Sequence, residues 1–368
     1  MTITVNRKEF IDALIVGSAM EGKAKTMPIL GFTKITTRQS AMTITSFDLE
    51  CSITKLCNVV SCDALGEFCV CANDLIKAIK ALKNDEITLV VENNLLTISH
   101  TSGTMSMPVQ NATTFPTISQ DSIDNVNCIV LQSEWLKEWI MVSRNFVADD
   151  DFRPIMNGMY IHADACAIEV CATDAHKLYT DRIEGNYTFY DVEAVLPSRA
   201  FAPLLTILNG VDEVTMSVDT KNFIFTTSDT TLTCRKIEGN YPNFKAIIPN
   251  HPTMIEAVKD EFIQALSRVA LFTDSTTSLV KLNVSSDKID MEGSDIDFSK
   301  MSKDSVGVIK WQGNALSIGA KANFLAICAS NVFSDNIIIE FGTSTQPMLL
   351  KDSMRPNKTI MLMPMLLG

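Results

Sequence analysis

Apolar and polar positions along this chain repeat one order of elements three times. From Asn6 to Met20, Phe10, Leu14, Ile15 and Val16 fall at helical spacing. Alternating segments at 32–36, 42–45 and 49–53 predict strands. Asn73 predicts the N-cap of a second helix that buries Leu75, Ile76, Ile79 and Leu82 and turns Lys77, Lys80 and Lys83 outward. Residues 87–91 and 95–99 then flank Asn93-Asn94, a pair suited to the positive φ angles of a tight hairpin.

The second third follows the same plan. Ser133 opens a helix through Trp135, Trp139, Ile140 and Val142, and 159–162 and 167–171 read as strands. Pro197-Ser198 starts a second helix with Phe201, Leu204, Leu205 and Leu208 on one side, and 214–218 and 223–227 form the hairpin. In the last third Asp260 precedes a helix carrying Phe262, Leu266, Val269 and Leu271. Strands are expected at 279–284 and 288–291, a second helix at 321–332, and a hairpin from 337–341 and 348–351.

Two landmarks share the period. Asp48, Asp174 and Asp295 each end a run of apolar and small polar residues and lie about 120 to 126 residues apart; the hairpins begin at Ile87, Val214 and Ile337, about 123 to 127 apart. One domain written three times is the expectation, with limits at 1–122, 123–248 and 249–368. Pro-containing joints, 114–121 and 239–250, separate the units without a long linker.

Composition narrows the classes. A chain of 368 residues, 46% hydrophobic, can fill several cores, and no apolar run is long enough for a membrane helix. The N-terminus lacks a basic-then-apolar secretory pattern, so a cytoplasmic protein is expected. The ten cysteines include no C-x-x-C pair, and with four histidines nothing has zinc-ligand spacing. They read as small buried hydrophobes kept reduced, and neither a metal nor another cofactor is expected. A net charge of −12 argues against a generic nucleic-acid binder, and the central third, with 10 basic and 18 acidic residues, holds −8 of it. A local basic surface remains open. Arg7, Lys8, Lys137, Arg144, Arg199, Arg268 and Lys321 lie on predicted helices or their ends, where together they could face phosphates without reading sequence.

Candidate chemistry is sparse. Asp174 and His176 could serve as an acid–base pair in a hydrolase, yet no nucleophile elbow accompanies them, and the equivalent slots hold Glu50 and Asp297. No Gly-rich phosphate loop occurs, and Asp149-Asp150-Asp151 reads as a solvated loop. The terminal stretch from Thr359 to Gly368 is uncharged and apolar, so it must dock, either as a core strand or as an adaptable Met-rich wall for partner peptides.

Several segments resemble one family. Ala172-Thr-Asp-Ala-His-Lys-Leu178, the run from Arg235 to Phe244, and Met363-Pro-Met365, with Met27-Pro-Ile-Leu30 and Asn157-Gly-Met159, are similar to signature segments of bacterial DNA polymerase III beta subunits, the sliding clamps. The resemblance spans the whole chain in order. It implies an α+β fold of three clamp domains, each with two helices packed on antiparallel sheets, and a head-to-tail homodimeric ring of six domains. It implies a processivity factor with no catalysis of its own, a sequence-independent hold on double-stranded DNA, and as partners the replicative polymerase, the clamp loader, and other polymerases and repair proteins with clamp-binding peptides. A non-DNA β-rich interaction module is the alternative outside this family.

By position, the resemblance assigns a partner-peptide groove to Arg153, Met156, Thr173, Ala175, His176, Lys177 and Leu178, joined by Pro242, Ile247 and the run Met361, Leu362, Met363, Pro364, Met365. Thr173 and His176 would rim it; Leu178, Ile247, Leu362 and Met363 would line it. DNA-facing positions would be Lys23, Lys25, Lys80, Lys137, Arg144, Arg153 and Arg199. The seam between copies would bring Lys77, Met105 and Met107 against Leu271 and Phe272. Ala175, Lys177 and Ala246 replace residues the family commonly has as Gly, Arg and a basic side chain, and Leu366-Leu367-Gly368 replaces a basic-then-Leu ending.

Overall fold

The computed structural model describes residues 1–22, 27–100, 103–116, 127–187, 191–295 and 297–367. Six helices occur among them, two in each third: α1 (Arg7–Gly17), α2 (Ala72–Lys80), α3 (Ser133–Ser143), α4 (Phe201–Ile207), α5 (Lys259–Ala270) and α6 (Ala322–Ser330). Antiparallel sheet makes up most of the remaining regular structure, with short 3-10 turns between strands. Among the described residues no helix is long and apolar enough to cross a membrane.

The chain divides into two compact units that do not coincide with the three repeats. One comprises 1–138 with 199–236, the other 139–198 with 237–368. Backbone pairing gives the reason. In the first unit an eight-stranded sheet runs Asn127–Gln132, Glu213–Val218, Asn222–Thr226, Thr230–Arg235, Cys51–Asn58, Ala41–Phe47, Thr33–Thr37, Glu67–Val70. Its middle joint pairs Leu232 with Ile53 and Cys234 with Cys51, so strands of the first and central thirds share one ladder. In the second unit a nine-stranded sheet joins the central and last thirds where Lys177–Glu184 pairs with Arg355–Leu362, setting Leu178 opposite Met361. The central repeat is thus shared out by its own hydrogen bonds.

Each unit also holds a smaller sheet. In the first, five strands end at the edge strand Gly103–Pro108; in the second, four strands end at Lys300–Gly307. The core of the first unit is built where α1 and α2 lay Phe10, Leu14, Leu75 and Ile79 onto Ile3, Ile44, Leu89 and Ile98. Fully burying side chains of that size stabilises by about 1.5–3 kcal/mol each. Gly17 exists for this approach: a Cβ there would meet Ile44 Cγ2 at 2.5 Å and the Ile44 carbonyl at 2.9 Å.

Local chemistry explains several element ends. The Asn6 side chain accepts hydrogen bonds from the amides of Lys8 (3.0 Å) and Glu9 (3.2 Å), as a helix cap should. Asn93 and Asn94 have φ of 50° and 60°, the paired left-handed residues of a type I′ hairpin turn. Two of the three repeated aspartates turn the chain alike: Asp48 Oδ1 accepts from the amides of Glu50 and Cys51, and Asp174 Oδ1 from those of His176 and Lys177, whereas Asp295 Oδ1 accepts from the Phe298 amide. The residues after the first two, Leu49 (φ 82°) and Ala175 (φ 74°), are left-handed.

Other expected ends move. Asn73 is not the cap of α2, which begins at Ala72; the Ala72 amide is met by the Glu21 carboxylate at 2.9 and 3.1 Å, a tertiary partner that makes a local cap redundant. Ser133 is the first residue of α3, but its buried hydroxyl makes no hydrogen bond, and its amide instead donates to the Asp212 carbonyl at 2.8 Å. The strand expected from Leu49 begins at Cys51, because Leu49 and Glu50 belong to the Asp48 turn. The last helix ends at Ser330 rather than Val332.

Candidate functional site

An apolar groove lies in the second unit, where three segments meet. Lys177–Glu184 and Arg355–Leu362 are paired, and beyond Leu362 the chain continues along the groove instead of leaving the surface. Two hydrogen bonds strap this continuation: the Met363 amide donates to the His176 carbonyl, and the Met365 amide to the Gly319 carbonyl, both at 2.8 Å. Met363, Pro364 and Met365 form one wall; His176, Thr276, Thr277, Lys321 and Phe324 complete a cavity of about 360 Å³. That volume suits one or two apolar side chains of a peptide.

Beneath the groove the turn at Asp174 is tightly determined. Thr173 Oγ1 donates to the Lys177 carbonyl (2.8 Å) and accepts from the Ala175 amide (3.1 Å). Asp174 Oδ2 pairs with the Lys177 ammonium, which is only 6% exposed and also lies 5.1 Å from the Phe324 ring and 5.7 Å from the Phe146 ring. The His176 ring, exposed, rests tilted against Phe324 with centroids 5.9 Å apart. Thr276 and Thr277 are held by a similar turn, their amides donating to Asp274 Oδ1. Those amides, Thr277 first, hold the Asp274 carboxyl below its ordinary value.

The predicted groove residues therefore separate. His176, Met363, Pro364 and Met365 line the cavity and Ala175 is exposed on the adjoining turn. Leu178, Met361 and Leu362 do not line it: they are 0–2% exposed, in strands paired on both sides, and Met361 packs in a cluster with Leu178. Thr173 is buried rather than on the rim, its hydroxyl spent on the turn, and Lys177 is buried with Asp174. Leu178 and Met361 pack with Tyr160, Cys171 and Phe244, and Ile155, Tyr241 and Ile248 cover that cluster. Their chain neighbours Met156 and Pro242 are half-buried, and Ile247 is exposed. None of these three lines the cavity, nor does Arg153.

The groove's other wall was missed in the sequence. Phe324 lies beside the Ala322, Leu325, Ala329 stripe that α6 buries, and an aromatic just off a buried stripe is the one local signal that could have marked it. Thr276 and Thr277 carry no such signal.

The basic positions also separate. Lys23 and Lys25 lie outside the described residues. Lys137 pairs with Glu134 (2.7 Å), Arg153 with Asp150 (2.9 Å) and Arg199 with Glu50 (2.8 Å), which weakens each as a free phosphate contact. Lys80 and Arg144 are exposed and, among the described residues, in no ion pair. Of the expected seam, Lys77 is exposed beside Asp74 (3.4 Å), Met105 and Met107 pack partly on the first unit's core, and in the second unit Leu271 and Phe272 are exposed. Asp174 and His176 form no acid–base couple: both oxygens of Asp174 serve the turn and Lys177.

Comparison with known proteins places this geometry. Family models for the DNA polymerase III beta subunit match in order: the N-terminal domain at 1–119, the central domain at 130–243 and the C-terminal domain at 245–366. The chain is 21% identical over 355 residues to the beta sliding clamp of Haemophilus influenzae, covering 92% of this chain and 95% of that one. It is 20% identical over 370 residues to that of Escherichia coli K12, covering 99% and 100%. Its fold matches the crystal structure of the DNA polymerase III subunit beta from Pseudomonas aeruginosa with a TM-score of 0.93 at 19% identity, over the full length of both.

Proposed function

This chain belongs to the DNA polymerase III beta subunit family, and on that premise we propose that it is a DNA sliding clamp: two copies, six domains, close a ring around duplex DNA and tether a polymerase to it. The domains would be 1–122, 123–248 and 249–368. The observation that carries the reading is the ordered match of all three beta-subunit domains within one chain. A ring holds DNA by topology, so it requires few contacts, and an overall charge of −12 is compatible with it because a loose hold permits sliding. Lys80 and Arg144 are the described candidates for touching phosphates.

Two open sheet edges support the closure. Gly103–Pro108, reading Gly-Thr-Met-Ser-Met-Pro, carries no charge, although a free edge normally needs charge to avoid adding strands. We assign it to pairing with the edge strand Lys300–Gly307 of a second copy, near Leu271 and Phe272. Such a heterologous contact, repeated twice, closes a ring. The groove beside Phe324 would take short peptides from the replicative polymerase, the clamp loader and repair proteins, apolar side chains first. In this reading the chain supplies no chemistry, and its place of work is the cytoplasm.

Light scattering of the purified protein at micromolar concentration should give the mass of two chains, and protein loaded on primed circular DNA should lengthen the products of its own polymerase. A single-chain mass at high concentration, together with unchanged product length, would leave a monomeric β-rich interaction module instead.

A further inference from the structure

In the eight-stranded sheet of the first unit, the first and central thirds join at one ladder, and Cys51 and Cys234 stand directly opposite each other in it. The hydrogen bonds around them decide how near their side chains come. The Arg235 amide donates to the Glu50 carbonyl, whereas the Cys51 amide donates to Asp48 Oδ1 and the Cys51 carbonyl accepts from the Asp48 amide. Cys51 and Cys234 are therefore a non-hydrogen-bonded pair, the place in an antiparallel ladder where opposite Cα atoms are about 4.5 Å apart and side chains are closest. That spacing lies within the span a disulfide bridges. Both residues are fully buried, and their sulfurs are 2.7 Å apart as free thiols.

We propose that Cys51 and Cys234 are a redox site: a hydroperoxide converts them to a disulfide that staples the first domain to the central one. The contact with Cys51, then burial, raises the Cys234 thiol above its ordinary value, so Cys234 keeps its proton and Cys51 is the sulfur that ionises. The Cys51 thiolate attacks one peroxide oxygen, the O–O bond breaks, and a sulfenic acid and hydroxide result. The hydroxide takes up the proton that Cys51 released and becomes water. Cys234 then attacks the Cys51 sulfur, the S–O bond breaks, and the Cys234 proton leaves with the hydroxyl as a second water. Each sulfur has lost one electron and each peroxide oxygen has gained one. Hydrogen peroxide is close to water in size, so a brief local opening of the ladder admits it, and a thiol reductant reopens the bond. The cross-link closes a loop of 183 residues, so it removes much of the freedom of the unfolded chain.

Tryptic mapping of the full-length protein, reduced and then treated with excess hydrogen peroxide, tests this. Trypsin leaves Cys51 in segment 39–55 and Cys234 in segment 222–235, each as the only cysteine. After blocking of the remaining thiols in denaturant, mass spectrometry should find the two segments linked, and dithiothreitol should separate them. Peroxide should also raise the melting temperature by about 5–10 °C. Cys51→Ala and Cys234→Ala should each lose the linkage and melt at the same temperature with and without peroxide. Oxidation of the exposed Cys128 and Cys166 with no link between the two segments overturns the site. A link that leaves the melting temperature unmoved, or a rise that persists in both alanine variants, overturns the staple.

Discussion

Removing the Asp174 carboxylate should expose how much of the groove's base depends on one buried ion pair. Asp174→Ala deletes the acceptor of two amides, at 2.9 and 2.8 Å, and the partner of an ammonium that is 6% exposed. The amides of this surface turn can turn to water, so each costs about 1 kcal/mol or less. The Lys177 ammonium has no such recourse; only the faces of Phe146 and Phe324 remain, and stranding a buried charge costs about 3–5 kcal/mol. The charge term should dominate. Asp174→Asn keeps an acceptor for the amides and loses the charge, so it should fall between Ala and the unaltered protein. Lys177→Met added to Asp174→Ala removes the stranded charge and should recover about 2 kcal/mol or more of that loss. Urea unfolding followed by tryptophan fluorescence reads all four proteins, since Trp139 is buried in the same unit and donates to Asp181 at 3.1 Å. If Asp174→Ala costs no more than about 1 kcal/mol, or Lys177→Met rescues nothing, the buried pair does not hold this turn.

Three further outcomes are expected. Gly319→Ala would place a Cβ 2.5 Å from the Met365 carbonyl oxygen, so it should lift the terminal wall, lower stability by about 1–3 kcal/mol and abolish peptide binding with the dimer mass unchanged. Iodoacetamide at neutral pH, with sites read by mass spectrometry, should label exposed Cys128 and Cys166 and spare Cys57 and Cys69, whose thiols burial pushes up to about 11. Burial opposes ionisation of Asp352, but the amides of Phe333 and Met354 and the charge of Lys358 prevail and hold its carboxyl below 3.8. A depressed folded value contributes stability that is present above 3.8 and lost as pH falls through the lower folded value. Asp352→Asn should therefore flatten the acid limb of a stability–pH curve measured between pH 5 and 2; an unchanged limb would refute the assignment.

Much of the site's scaffolding was legible because it is local. The Asp174 turn and the Asn93-Asn94 hairpin each need only a few consecutive residues, and the sequence contains both. Asn73 and Ser133 show the limit. Both are good capping residues by type, yet α2 starts one residue before Asn73, where the distant Glu21 carboxylate meets the Ala72 amide, and the Ser133 hydroxyl is buried without capping α3. Burial along the groove was misread for the same reason. An apolar run such as 361–365 does not say where its strand ends, and only pairing with Lys177–Glu184 and Met348–Asp352 puts Met361 and Leu362 inside and Met363 outside.

Sequence alone determined the periodic part of this protein: three repeats, two helices and their hairpins in each, and the family they resemble. Periodicity and turn chemistry act over a handful of residues, so each copy of the plan is written in full. The tertiary structure decided everything that depends on ladders between repeats. Cys51 meets Cys234 across 183 residues of chain, Leu178 meets Met361, and the central third is divided between two units as a result. The groove has the same origin, since His176, Thr276, Lys321, Phe324 and Met363 share a surface only after those strands pair. Register is set by the burial of whole faces, a cooperative choice that no short segment encodes.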